Sequence, residues 1–71
     1  MIPPVAWFYL ITIQWNDNGR ATTRTYRGSV VFEHQDVTAE ERFLHTQDHA
    51  EEMARIPVGT SVVIFYHCER Q

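Results

Sequence analysis

His45 and His49 carry the most obvious chemistry in the chain. They stand four residues apart in a stretch that reads as a helix, and that spacing aims two imidazoles at one point, as a metal ion requires. Glu41 and Glu52 fall on the same flank and are the candidates for a third ligand. Zinc or nickel binding is the chemistry such a set supports. A solvated helix flank is the simpler expectation, because the spacing fixes no third ligand. His67 and Cys68 are the other reactive pair. As neighbours on a strand they point to opposite faces, so they do not share one ion. A Cys68 nucleophile needs an imidazole, an orienting group and an oxyanion site. No glycine-rich elbow builds that site, and no glycine loop cradles a phosphate. We therefore expect no enzyme activity, no catalytic residue and no cofactor.

The segment from His45 to His49 is similar to the H-x-x-E-H motif of zinc peptidases, with Asp48 where the motif has Glu. The similarity spans that segment alone. Asp48 falls on the opposite helix flank, and 71 residues are far fewer than such an enzyme uses, so no peptidase activity follows. Arginine supplies every basic side chain other than histidine: Arg20, Arg24, Arg27, Arg42, Arg55 and Arg70. Three of them sit among aromatics, the pattern of a sheet that stacks bases. The formal charge of −3 argues against nucleic acid, since a phosphate-backbone binder is normally basic. Arg27 also has the opposite strand parity to Arg20 and Arg24.

These residues must be positioned by a small scaffold. Seventy-one residues make a single domain, 1–71, near the lower limit for a core without staples. One cysteine excludes an internal disulfide framework. With no basic leader before the first apolar run, a cytoplasmic setting is expected and a membrane span is not. The first strand is Val5 to Trp15. Its odd residues, Val5, Trp7, Tyr9, Ile11, Ile13 and Trp15, are all large and apolar or aromatic, and they share one face. Asn18-Gly19 then reads as a two-residue hairpin turn. That turn sets Asp17 opposite Arg20, Ile11 opposite Tyr26, Tyr9 opposite Gly28, Trp7 opposite Val30 and Val5 opposite Phe32. A slip of one residue would waste the apolar face.

Thr38 to Glu41 reads as a capping box that starts a helix, and Pro57 with Gly59 ends it near Arg55. Ala39, Phe43, Thr46, Ala50, Met53 and Ala54 form its apolar stripe, with Glu51 on a charged flank. Ser61 to Cys68 reads as a last strand, apolar on both faces. The order is thus β-β-α-β, an α+β fold with a three-stranded antiparallel sheet of order 2-1-3 and one helix on one face. One helix covers one face only. Ala6, Phe8, Leu10, Val31, Val63 and Phe65 are left facing the other way, provided the last strand alternates regularly. An apolar patch of that kind marks a partner, either another protein or a second copy in a homodimer. The competing expectation is that the N-terminal segment and the 33–37 connector fold back over it. An interaction module results, of the size of an accessory protein from a mobile element or phage.

Overall fold

The computed structural model describes residues 4–33 and 36–71. Strand β1 is Val5–Asp17, β2 Arg20–Phe32, helix α1 Ala39–Ala54 and β3 Val62–Arg70. β1 lies between β2 and β3 and runs antiparallel to both, so the sheet order is β2-β1-β3. The predicted α+β architecture is the one observed. Asn18 and Gly19 both take positive φ, 54° and 83°, which gives the turn the hand that matches strand twist. The Asn16 side chain fixes the turn by accepting the Gly19 N–H at 2.8 Å.

From this turn the β1–β2 register runs without a slip, from Asp17 opposite Arg20 to Val5 opposite Phe32. Gly28 opposite Tyr9 is a close approach. A Cβ at Gly28 would stand 3.1 Å from the tyrosine oxygen and 3.3 Å from two ring carbons. The missing side chain is what lets the Tyr9 ring lie across β2.

The helix starts at Thr38, whose hydroxyl accepts the Glu41 N–H at 3.1 Å. It packs on β1 and β3 rather than centrally over β1 and β2. Thr46, Ala50 and Glu51 are its buried residues. Short side chains at 46 and 50 let the backbone lie close to Tyr9, Ile11 and Ile13, which are also buried. Phe43 meets Tyr66 of β3 edge-on, with ring centroids 5.0 Å apart. Met53, expected in the apolar stripe, is half exposed, and Glu51, expected on a charged flank, is fully buried. The helix is rolled toward β3 because the 59–61 turn grips Glu51. Arg55 then ends it in the left-handed region, with φ 60° and ψ 43°, its N–H bonded to the carbonyls of Glu51 and Glu52.

β3 departs from regular alternation. Ile13 pairs with Val63 while Thr12 pairs with Phe65, which leaves Ile64 unpaired as a β-bulge. Val63, Tyr66 and Cys68 therefore face the helix, and Val62, Phe65, His67 and Glu69 face away. Among the described residues, no helix is long and apolar enough to cross a membrane.

Candidate interaction surface

Reading across the strands gives the open face row by row. Val31 lies beside Ala6; Ser29, Phe8 and Glu69 follow; then Arg27, Leu10 and His67; then Thr25, Thr12 and Phe65; then Thr23, Gln14 and Val62. Of the six residues expected on this face, Ala6, Phe8, Leu10, Val31 and Phe65 are on it. Val63 is not: the bulge at Ile64 turns it to the helix side, where it packs against the core. Val62 takes its place on the open face. Sequence alternation alone carried no signal for that exchange, since Val62, Val63 and Ile64 are equally apolar.

Val31 is 59% exposed, Phe65 51% and Val62 63%. Phe8 and Leu10 are half-buried between their strand neighbours. One end of the patch is strapped. The Gln71 N–H donates to the Ala6 carbonyl at 3.0 Å, and its side-chain amide crosses β1 to donate to Ser29 Oγ at 3.1 Å. Farther along the face, beside Phe65, the Thr12 and Thr25 hydroxyls share a bond of 2.8 Å. Arg27 stands on the β2 side, and a His67–Glu69 contact of 3.4 Å stands on the β3 side. The N-terminal part of the expected self-covering layer, at 1–3, and residues 34–35 of the connector lie outside the described residues. The described part of the connector turns the other way. Val37 is buried, and its carbonyl accepts from Arg42 Nη1 at 2.8 Å while that guanidinium lies 3.9 Å over the Trp7 ring, on the helix side.

His45 and His49 are each engaged with a different ring of the sheet. His45 meets Phe32 at 5.2 Å between centroids, and His49 meets Tyr9 at 6.1 Å, both edge-on. Among the described residues, no three His, Cys, Asp or Glu side chains gather as a metal ion would need. Arg20 and Arg24 pair with odd residues of β1 and so lie on the helix side, whereas Arg27 lies on the open face. The arginines expected to interleave with aromatics are thus split between two surfaces.

Two buried polar groups escaped the sequence reading. Glu51 sits at the helix C-terminus, where its charge opposes the helix dipole, yet it is closed off from solvent. Its carboxylate accepts the Gly59 N–H at 3.1 Å, the Ser61 N–H at 3.0 Å and the Ser61 hydroxyl at 2.6 Å. Burial pushes its carboxyl up, but these bonds and one from the Thr60 backbone outweigh it and hold the group below its ordinary value. The only hint in the sequence is a Gly-Thr-Ser turn eight residues downstream, whose backbone donors form an anion-holding nest. Tyr66 is the second. Its hydroxyl is closed to solvent without a well-formed hydrogen bond. Burial, with the Cys68 thiol beside it, pushes that hydroxyl up to about 12.

No family model, curated protein or solved structure matches the chain.

Proposed function

We propose that the protein is a small non-catalytic interaction and oligomerisation module whose working surface is the open sheet face, with a second copy of the chain as its occupant. The observation that carries this reading is the exposure of Val31, Phe65 and Val62 along the face that also carries Phe8 and Leu10, with no described layer over them. The surface area supports it. The chain exposes 5176 Å², against about 4600 Å² for a compact monomer of its mass. Among the described residues the buried apolar core is Val5, Tyr9, Ile11, Ile13, Val37 and Ala50, so apposing a second sheet would add a further layer to a small core. Charge also favours self-pairing. With a two-fold axis along β1, the Arg27 edge of one copy lies over the Glu69 edge of the other, and Phe8 and Leu10 lie near the axis.

Sedimentation at tens of micromolar tests this. The wild type is expected as an oligomer, and Phe8→Glu with Leu10→Glu as a smaller, folded species. A monomeric wild type, or a double variant of unchanged mass, overturns the reading.

A further inference from the structure

The outer edge of β2 is a second surface, and it differs in kind from the open face. Backbone parity identifies what it offers. The Ala6 carbonyl accepts from Gln71, so even-numbered residues of β1 turn their backbone toward β3, and odd-numbered ones turn it toward β2. The pair that closes a two-residue turn agrees, since Asp17 and Arg20 exchange both hydrogen bonds. On β2 the even-numbered residues therefore bond inward to β1. Ala21, Thr23, Thr25, Arg27, Ser29 and Val31 direct their N–H and C=O groups outward. Among the described residues, no backbone hydrogen bond from outside the sheet reaches them.

Of the devices that keep strands apart, this edge carries charge alone, at Arg20, Arg24 and Arg27. β2 pairs over all 13 residues without a bulge and contains no proline or lysine. The helix packs mainly on β1 and β3 and meets β2 at the strand's end, where His45 lies against Phe32. The edge of β3, by contrast, is broken by the bulge at Ile64.

We infer that β2 pairs antiparallel with β2 of a second copy, joining two three-stranded sheets into one of six strands. One register uses the full length of the strand and opposes no like charges directly. With Tyr26 opposite Tyr26, the whole strand overlaps its copy, and Arg20 falls opposite Phe32, Arg24 opposite Gly28, and Arg27 opposite Thr25. No arginine then faces an arginine directly, whereas centring the pair on Arg27 would oppose like charges. Parity fits as well, because the six outward-facing residues pair only with one another in this register. Both helices lie on the same side of the joined sheet.

This pairing is independent of the open-face contact, and the tests separate the two. Thr23→Pro removes an N–H that points outward, so it spares the β1 ladder while it blocks the edge. The variant is expected to stay folded and to sediment as a smaller species than the wild type. An unchanged mass in a folded variant overturns the pairing, whatever Phe8→Glu with Leu10→Glu does. The wild type gives a second reading that needs no variant. Amides 23, 25, 27 and 29 should exchange more slowly by about tenfold or more as concentration rises. Exchange at these positions that is fast at every concentration overturns the inference. The register is read from an Arg24–Gly28 Hα contact between labelled and unlabelled copies. Within one chain these atoms are about 13 Å apart, so the contact arises only across the pair. Its absence from a dimer that Thr23→Pro dissociates overturns the register.

Discussion

Replacing Glu51 with glutamine tests how the helix is seated. The carboxylate accepts from Gly59, Ser61 N and Ser61 Oγ at 2.6–3.1 Å, and no part of the residue is exposed. Glutamine keeps the shape but exchanges one acceptor oxygen for an NH₂ group that, at the Oε1 position, meets the Gly59 N–H. Oε2 accepts from all three donors and Oε1 from the Gly59 N–H alone, so a glutamine with its oxygen at Oε2 turns one contact repulsive and leaves the two Ser61 bonds without charge assistance; at roughly 1 kcal/mol for each change the expected loss is about 3 kcal/mol. For a chain of this length that is a large share of a total of roughly 5 kcal/mol. The sign with pH follows from the lowered carboxyl. The stabilisation is fully present above the ordinary glutamate value of about 4.3 and is lost as pH falls through the lower folded value. Urea unfolding of wild type and Glu51→Gln at pH 7, then at steps into the acid range, should show a gap that closes as the wild type takes up its proton. A gap under about 0.5 kcal/mol at pH 7, or one that stays constant into acid, refutes the buried-carboxylate account.

Two further substitutions test the packing. Gly28→Val drives a side chain into the Tyr9 ring that crosses β2 at 3.1–3.3 Å, and should lower the urea midpoint by the equivalent of about 1–3 kcal/mol at unchanged m-value; an equal or higher midpoint contradicts the close approach. Tyr66 is held neutral up to about pH 12, so its contribution is complete below the ordinary tyrosine value and lost as pH rises through the folded one. The difference in phenolate absorbance between wild type and Tyr66→Phe should appear only near pH 12 or on unfolding, and a difference already complete near pH 10 rejects that environment.

The fold was legible where one signal dominated. Asn18-Gly19 fixed the hairpin, and the odd residues of β1 fixed its register down to Val5 opposite Phe32. Gly28 opposite Tyr9 followed from that register alone. The roll of the helix was not legible. Ala50 and Thr46 were correctly placed inward, but whether Met53 or Glu51 followed them depended on backbone donors from residues 59–61, a long-range contact with no periodic signature. The open face was legible in β1 and β2 and misread in β3, since one unpaired residue at Ile64 reverses every side chain on one side of it. Five of its six expected residues survive because Phe65 lies on the far side of the bulge from Val63.

That bulge also bears on how far the sheet can grow through its edges. A sheet with two regular edges adds strands without limit, which is the route to cross-β fibrils. Here only β2 is regular. Two copies joined there would consume both permissive edges and expose only β3 at each end of the six strands. Ile64 would thus act as a chain terminator for sheet growth: 57% exposed and out of register, it costs the monomer a ladder position and limits edge-to-edge pairing to one joint.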